Sequence, residues 1–385
     1  MKCNGIDVVT GEHTQISFDG VIDGVDHLLA TPQDRIYIAP GFIDLQVNGF
    51  AGVDYNNPAT EPDQIAHSIR SMYATGVTRF FPTVITGSPD DMAGALRMLS
   101  AAREAIPEGA AMEGFHVEGP YISPDDGPRG AHPERWVRPP SLDEFRRFQD
   151  AARGHIRLVT LSPEWKEAPH FIERVVREGV VASIGHTKAS GSQIADAVQA
   201  GATLSTHIGN GCHATLDRHP NYIWEQLAED RLNASLIVDG IHLGAAFLKV
   251  ALRAKGVERS ILVTDAVMPA GCNPGRYQLG EVDVELHSDG SVRLLGGTRL
   301  AGSALMMDRA IGNVVRLGGV SLLDAITMAT RNPARVGRIA SRQRGLAVAE
   351  RADLVRFKYD GDDIRVIETY VGGERVFQAS GVGHS

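Results

Sequence analysis

Short apolar runs alternate with longer segments of mixed apolar and polar residues through the middle of the chain. Each run is bounded by glycine, proline or polar residues, as is typical of a buried β-strand. These runs predict strands at residues 42–47, 79–83, 112–118, 156–161, 181–185, 203–207, 235–238 and 261–264.

In the segments between these runs, apolar residues recur at helical spacing. They predict helices at residues 64–75, 89–105, 142–152, 170–178, 191–200 and 244–254. Strands that alternate with helices are typical of a parallel sheet, and eight of them favour an α/β fold, the (β/α)8 TIM-like barrel. An open doubly wound sheet is the alternative. A dinucleotide-binding form of that sheet has little support, because no Gly-x-Gly-x-x-Gly follows a predicted strand.

The two ends of the chain have a different pattern, in which short apolar runs are separated by glycine and aspartate. Strands are predicted at residues 15–18 and 25–29, and again at residues 352–357 and 364–371. Neither end is long enough to bury a good core alone. We therefore predict that residues 1–39 and 345–385 pair into a small β-sandwich domain, beside a barrel domain of residues 40–344.

Composition narrows the class of protein. A length of 385 residues suits one large barrel with a smaller partner domain. The net charge of -9 and the lack of a basic run give no reason to expect nucleic acid as a partner. The three cysteines lie far apart without a Cys-x-x-Cys motif, which predicts free thiols in a reducing compartment. No apolar run approaches the roughly 20 residues of a membrane helix, so we predict a cytoplasmic protein with no membrane partner.

Three predicted strands end in residues that bind divalent metals. Glu118 ends the third strand, His186 the fifth and His207 the sixth. The carboxyl ends of barrel strands meet at one face, so these side chains are expected to converge. Glu118 alone could pair with an arginine, and a single histidine is more often a hydrogen-bonded core residue. Together, two histidines and a carboxylate favour a metal site with an open position for water.

Polar residues also end the first and eighth strands. Asp265 terminates an apolar run, where a buried carboxylate can act as a base beside a metal-bound water. Capping or salt bridging in the next loop is its alternative role. Period-two spacing places Gln46 and Asn48 on one side of the first strand, at the barrel mouth. These amides either orient a substrate or water, or form a polar plug at the end of a core strand.

Three loops carry candidate binding residues. In residues 209–221, glycine-flanked backbone amides together with Arg218 suit an anionic group such as phosphate, although such loops are often only turns. His242 follows the seventh strand, where core packing is the alternative. Residues 127–132 are predicted as a surface loop that reaches inward.

Taken in order, these motifs resemble the N-acetylglucosamine-6-phosphate deacetylases of the amidohydrolase superfamily. The resemblance extends over nearly the whole chain, including Leu300-Ala301-Gly302-Ser303 and the closing Ala352-Asp353-Leu354-Val355. The motifs that carry it are Pro40-Gly41-Phe42-Ile43-Asp44, His116-Val117-Glu118-Gly119-Pro120, Ile184-Gly185-His186-Thr187, Thr206-His207, Asp239-Gly240-Ile241-His242 and Thr264-Asp265-Ala266.

The resemblance implies a barrel with a small β-domain made from both chain ends, usually as a homodimer. It implies that Glu118, His186 and His207 hold the metal and that Asp265 is the catalytic acid/base. Many amidohydrolases carry His-x-His at the end of strand one and bind two metals. This chain has Gln46-Val47-Asn48 there, like the single-metal deacetylases, which implies one divalent ion per subunit. Zinc is the expected ion, and iron and manganese also suit these ligands.

For the substrate, the resemblance implies that four residues hold the sugar phosphate: Asn210, Gly211, Arg218 and His242. Arg218 is expected to reach across a dimer interface, and His132 matches a histidine near the acetamide. The chain departs from the family after Thr206-His207. The family usually has an aromatic residue or leucine and then Asn-Ala-Met, whereas this chain has Ile208-Gly209-Asn210-Gly211-Cys212-His213.

We therefore predict a metal-dependent hydrolase that converts N-acetylglucosamine 6-phosphate to glucosamine 6-phosphate and acetate. Deacetylation of another N-acetyl sugar phosphate, an unphosphorylated sugar or an N-acyl amino acid is the nearest alternative. A non-catalytic sugar-phosphate sensor on a degenerate barrel is an alternative from another class. The combination of metal ligands and a base argues against it, because a binding module needs no base.

Overall fold

A computed structural model describes residues 1–29, 35–280, 282–341 and 343–380. Its central sheet has eight parallel strands that are hydrogen-bonded in chain order. These strands are β1 (Phe42–Val47), β2 (Val77–Ile85), β3 (Phe115–Glu118), β4 (Ile156–Leu161), β5 (Val181–Ile184), β6 (Leu204–Ser205), β7 (Asn233–Leu236) and β8 (Ser260–Leu262). A parallel bridge between Val47 and Ala266 joins the first strand to the chain just past the last. The sheet closes in this way, which confirms the predicted barrel.

Ten α-helices lie in the described part of the chain. They are α1 (Pro62–Tyr73), α2 (Pro89–Ala105), α3 (Leu142–Ala151), α4 (Ala168–Arg177), α5 (Gly191–Gln199), α6 (Tyr222–Ala228), α7 (Ala245–Lys255), α8 (Met307–Asn313), α9 (Leu322–Ala329) and α10 (Arg331–Val336). The six predicted helices correspond to α1–α5 and α7. The sequence did not predict α6 or the last three, which follow the eighth strand.

Local sequence explains where the predicted helices begin. Ser88 caps α2 by accepting a hydrogen bond from the Asp91 backbone N–H, and Ser190 forms a capping box with Gln193 at the start of α5. The apolar face of each helix packs on the barrel, so its burial rather than intrinsic propensity supplies most of the helix stability.

Both ends of the chain contribute to one seven-stranded sheet. Its strands, in hydrogen-bonded order, are Glu374–Gln378, Ile364–Val371, Leu354–Tyr359, Ile36–Pro40, Lys2–Asp7, His13–Asp19 and Val21–His27. A small apolar cluster that includes Phe18, Leu354 and Tyr370 packs within it. The domain boundaries near residues 39 and 345 stay a prediction. Residues 30–34 and 381–385 of the predicted domain lie outside the described residues.

A buried ion pair joins this terminal sheet to the barrel. Arg79 on β2 places Nε 3.0 Å from Oδ2 of Asp353, and both side chains are buried. Asp353 also accepts a hydrogen bond from the Gly372 N–H in the turn before the last strand. Removing one member of such a pair is costly, because the other charge is left buried without compensation.

A four-stranded antiparallel sheet, here called the insert sheet, lies between the eighth barrel strand and α8. Its strands are Gly275–Leu279, Val282–Leu286, Ser291–Leu294 and Leu300–Ser303. The sequence did not predict it. Gly280 N–H donates to Asp54 Oδ2 at 3.1 Å, and Arg299 Nη2 lies 2.9 Å from Asp126 Oδ1. These contacts fix the insert sheet against two barrel loops. No helix of the described residues is long and apolar enough to cross a membrane.

Candidate active site

A cavity of about 1400 Å³ opens at the carboxyl ends of the barrel strands, where barrel enzymes carry their active sites. Most of the residues predicted from the sequence line it: Asn48, Glu118, His132, His186, His207, Asn210, Gly211, His242 and Asp265. Gln46 and Arg218 are not among the lining residues. Residues of the insert sheet, including Arg299, form part of the wall.

Glu118, His186 and His207 converge at the base of this cavity. Oε1 of Glu118 lies 3.2 Å from Nε2 of His186 and 2.9 Å from Nε2 of His207. One candidate ligand atom from each residue lies within 4.8 Å of the other two, and all three side chains are buried. Burial acts to raise the pKa of Glu118, but the contacts with both histidines outweigh it and hold the pKa well below its usual range. The carboxylate is therefore charged and available to a cation.

The donor chemistry of this cluster fits a divalent metal ion. Nδ1 of His186 lies 2.8 Å from the carbonyl oxygen of Pro128. A carbonyl only accepts, so Nδ1 carries a proton and Nε2 is the nitrogen that can ligate. Two imidazoles and one carboxylate form a common catalytic zinc set.

Asp265 is held beside this cluster by the amides at the end of β1. Its Oδ1 accepts hydrogen bonds from Nδ2 of Asn48 at 2.7 Å and from Nε2 of Gln46 at 3.1 Å. Gln46 Nε2 also lies 3.0 Å from Glu118 Oε1, so one amide connects the two carboxylates. Burial, and then the charge of Glu118, raise the pKa of Asp265 to about 6. The structure thus places Gln46 behind the carboxylates rather than on the cavity wall.

Backbone conformation marks the same residues. His186, His207 and Asp265 have φ values of 49°, 29° and 50°, in a region that side-chain-bearing residues rarely occupy. Each such residue costs on the order of 1–3 kcal/mol, and such strain is concentrated at functional sites. The strands β5, β6 and β8 all end before these residues. The strands predicted at residues 203–207 and 261–264 extend two residues beyond the observed ends of β6 and β8.

His132 comes from a loop that folds over the cluster. Its ring centre lies 4.4 Å from that of His186, and its Nδ1 lies 2.8 Å from Oγ1 of Thr86. Burial, followed by the neighbouring His186, lowers the pKa of His132 to about 3, so the ring is neutral. Gly130 in the same loop lies so close that an added Cβ would be 3.3 Å from His186 Cε1. The predicted inward-reaching loop therefore contacts a candidate metal ligand.

The loop after β6 passes close to the same ligand. A Cβ at Gly211 would lie 2.6 Å from Nδ1 of His186, and the φ of Gly211 is +56°, so glycine is required on both counts. A Cβ at Gly209 would lie 2.7 Å from Phe247, which fills the space beside it. Nδ2 of Asn210 donates to the His207 carbonyl oxygen at 3.2 Å. Residues 209–211, where the chain departs from the usual family motif, thus pack tightly against His186 and Phe247.

His242 is oriented by an aspartate three residues before it. Nδ1 of His242 lies 2.5 Å from Oδ2 of Asp239, whose Oδ1 accepts hydrogen bonds from the backbone N–H groups of Ile241 and His242. Burial acts to raise the pKa of Asp239, but these hydrogen bonds outweigh it and the net effect lowers the pKa. With Nδ1 held, His242 has its Nε2 left for a ligand in the cavity.

Comparison with known proteins agrees with this geometry. The amidohydrolase family model matches residues 37–376. An N-acetylglucosamine-6-phosphate deacetylase from Bacillus subtilis is 33% identical over 342 residues, covering 88% of this chain and 85% of the relative. The chain belongs to the N-acetylglucosamine-6-phosphate deacetylase family of amidohydrolases.

Two further proteins add detail on this family. An N-acetylgalactosamine-6-phosphate deacetylase from a Shewanella species is 32% identical, covering 96% of this chain and 93% of the relative. A solved structure of a variant N-acetyl-D-glucosamine-6-phosphate deacetylase from Mycobacterium smegmatis, in complex with N-acetyl-D-glucosamine-6-phosphate, has a TM-score of 0.85. It is 30% identical to this chain, and the alignment covers 94% of each.

One predicted substrate residue of this deacetylase family member is not in the cavity. Arg218 lies on the exposed part of the loop after β6 and is not among the lining residues. The single chain therefore does not bring Arg218 together with Asn210, Gly211 and His242. Its predicted role across a dimer interface stays a prediction.

Arg299 is a cavity residue that the sequence did not predict. It immediately precedes Leu300-Ala301-Gly302-Ser303, a motif already shared with the deacetylase family. Its place next to this motif is the feature of the sequence from which a role in the cavity could have been predicted. Its guanidinium is engaged with Asp126, and its Nη1 donates to the Gly130 carbonyl oxygen at 3.4 Å.

Proposed function

We propose that this chain is an N-acetylglucosamine-6-phosphate deacetylase, which hydrolyses N-acetylglucosamine 6-phosphate to glucosamine 6-phosphate and acetate. The observation that carries the proposal is the convergence of Glu118, His186 and His207 within 4.8 Å, with Asp265 hydrogen-bonded into the same network. Family membership supports the same reaction.

Glu118, His186 and His207 would hold one divalent ion per subunit. Zinc is our first proposal because two imidazoles and a carboxylate are a frequent zinc set, and iron or manganese would accept the same ligands. When bound, such an ion polarises the amide carbonyl and lowers the pKa of water. A single ion is proposed because the amides Gln46 and Asn48 stand where a second pair of imidazoles would be needed.

Asp265 is the proposed acid/base. It takes a proton from the attacking water as the carbon–oxygen bond forms, and later gives that proton to the sugar nitrogen as the carbon–nitrogen bond breaks. The products are acetic acid and an amine, which ionise at neutral pH to acetate and an ammonium group, so atoms and charge balance. Asn48 and Gln46 both donate to Oδ1, which fixes the carboxylate and leaves Oδ2 to exchange the proton. His132, next to His186, is proposed to contact the acetamide.

Asn210, Gly211 and His242 are proposed to bind the sugar and its 6-phosphate from the cavity wall. Arg218 is exposed and does not line this cavity within one chain, so we propose that it enters the site of a second subunit in a homodimer. A charged side chain of this kind binds phosphate strongly. We also propose a cytoplasmic location, which agrees with the free Cys3, Cys212 and Cys272.

N-Acetylgalactosamine 6-phosphate is the second candidate substrate, favoured by the Shewanella relative that covers 96% of this chain. An acetate-release screen would test both proposals, using N-acetylglucosamine, N-acetylgalactosamine, N-acetylmannosamine, their 6-phosphates and a set of N-acetyl amino acids. We expect the highest kcat/KM for N-acetylglucosamine 6-phosphate. A preference for the galacto epimer selects the second candidate. Release from an N-acyl amino acid but from none of the sugars contradicts both.

A further inference from the structure

The cavity is poor in free positive charge for an enzyme that binds a phosphate. Among its described lining residues, Arg299 is the one lysine or arginine, and its guanidinium already pairs with Asp126. Five carboxylates also line the wall: Asp54, Asp91, Glu118, Asp126 and Asp265. Apart from the Arg218 that we propose a second subunit contributes, a phosphate dianion in this cavity therefore meets N–H donors of neutral groups and histidines.

His213 is a cavity histidine with a fixed partner. The hydroxyl oxygen of Tyr222 accepts a hydrogen bond from the His213 backbone N–H at 2.8 Å, and the same oxygen lies 2.9 Å from Nδ1 of the His213 ring. The hydroxyl still has its own proton to donate, and we assign it as the donor of the hydrogen bond to Nδ1, which then acts as the acceptor. A neutral imidazole with Nδ1 as acceptor carries its proton on Nε2.

Tyr222 is well placed to enforce this arrangement. It is the first residue of α6, and the Asn221 side chain caps that helix by accepting from the Ile223 and Trp224 N–H groups. Tyr222 is buried, and burial raises the pKa of its hydroxyl to about 12. The hydroxyl therefore stays protonated at neutral pH and remains a donor to His213.

The Cδ2 edge of the His213 ring lies close to the loop that carries His132. A Cβ at Gly127 would lie 3.1 Å from Cδ2 of His213, and the φ of Gly127 is +97°. The ring is thus held between Tyr222 and the backbone of Gly127. Holding a side chain in its bound conformation before the ligand arrives reduces the entropy cost of binding.

We propose that His213 donates a hydrogen bond from Nε2 to the phosphate of the substrate, and that it contributes to the preference for phosphorylated sugars. The inference deepens the proposed function and rests on it. In a neutral His242 ring, the donor and acceptor nitrogens are the reverse of those in His213. Asp239 holds the proton on Nδ1 of His242, so its Nε2 carries a proton only when the ring is charged. His213 therefore supplies a donor that does not require a charged ring.

Kinetics with and without the phosphate test this role. For His213→Ala, we expect KM for N-acetylglucosamine 6-phosphate to rise roughly ten- to hundredfold, the loss of one hydrogen bond to a charged group. We expect kcat to change less than about threefold, since the ring does not touch the reacting amide. With unphosphorylated N-acetylglucosamine, kcat/KM should stay the same. His213→Gln, which keeps an N–H donor, should recover part of the loss.

Two further variants separate a binding role from a structural one. Tyr222→Phe removes the hydroxyl that orients the ring and should raise the same KM by a smaller factor, with no added effect in the His213→Ala background. His170→Ala removes an exposed histidine of α4 that does not line the cavity and should leave both substrates unaffected. Equal losses with and without phosphate in His213→Ala, or unchanged values for both, overturn the inference while the proposed function stands.

Binding of a non-reacting sugar phosphate keeps the inference testable if no substrate is hydrolysed. Calorimetry with glucose 6-phosphate should give a Kd for the metal-loaded protein that His213→Ala weakens roughly tenfold or more, while binding of glucose is unchanged. An absence of acetate release together with this loss contradicts the proposed function and supports the role of His213. Equal Kd values in both proteins, or no binding by the unmodified protein, overturn that role.

Discussion

Replacing Asp265 with asparagine is the sharpest perturbation of the proposed chemistry. The new side chain has the same shape, and its amide oxygen can still accept from Asn48 at 2.7 Å and Gln46 at 3.1 Å. What it loses is the ability to take and return a proton. Since a positioned acid/base contributes typically 10²–10⁴-fold, we expect kcat to fall by about that factor, or about 3–5 kcal/mol in activation free energy.

The assay is steady-state acetate release, with the metal content measured on the same protein samples. We expect Asp265→Asn to keep the metal content and thermal midpoint of the unmodified protein, because Glu118, His186 and His207 are untouched. Asp196→Asn is the matched control, since this aspartate is exposed on α5 and should leave the rate unaltered. A kcat within tenfold of the unmodified protein refutes the assignment of Asp265 as the acid/base. A large loss of metal in Asp265→Asn refutes the proposal that Glu118, His186 and His207 alone hold the ion.

Three other predictions concern the metal and the stability of the fold. His207→Ala should reduce the bound metal to well below one equivalent by elemental analysis, because one of three ligands is lost. Asp353→Ala should lower the free energy of unfolding in urea by about 3 kcal/mol, because Arg79 loses its buried partner and keeps the more exposed Glu113, whose Oε2 lies 3.5 Å from its Nε. Burial raises the pKa of Asp44 to about 7, so its contribution to stability is full below its ordinary pKa and is lost as the pH rises through about 7. Asp44→Asn should therefore lose less stability than the unmodified protein between pH 5 and pH 8.

Each of these has a matched control or a contrary result. Exposed His67 of α1 is the control for the metal, and its alanine variant should keep a full equivalent. Glu104→Gln breaks the exposed pair with Arg153 and should leave the urea midpoint unchanged. A metal content that His207→Ala does not alter, or an Asp353→Ala protein as stable as its parent, contradicts the corresponding argument. If the free energy of unfolding changes with pH in the same way for Asp44→Asn and the unmodified protein, the prediction for Asp44 is contradicted.

The barrel, and the convergence of most candidate residues on one cavity, were predictable because both depend on local patterns. Each apolar run is buried in the barrel wall, and the polar residue after it emerges at the shared carboxyl end. The ends of β6 and β8 were less predictable. His207 and Asp265 leave the strand through left-handed backbone conformations, which apolar patterning does not reveal.

Other features depend on contacts between distant segments. The insert sheet has alternating apolar and polar residues in Val282–Leu286, a strand signal that was available in the sequence. Its position over the cavity, through Gly280 with Asp54 and Arg299 with Asp126, had no local signal. For Arg218 the sequence predicts a role that the structure of one chain does not show. The sequence predicts a phosphate ligand there, yet one chain leaves it exposed.

The most direct test of the one-metal site is a titration of metal-free protein with Zn²⁺, followed by the rate of acetate release from N-acetylglucosamine 6-phosphate. With Glu118, His186 and His207 as the ligands of one essential ion, activity should be absent without metal. It should then rise linearly and reach its plateau at one equivalent per chain. Full activity in the metal-free protein, or a plateau at two equivalents, would contradict the account.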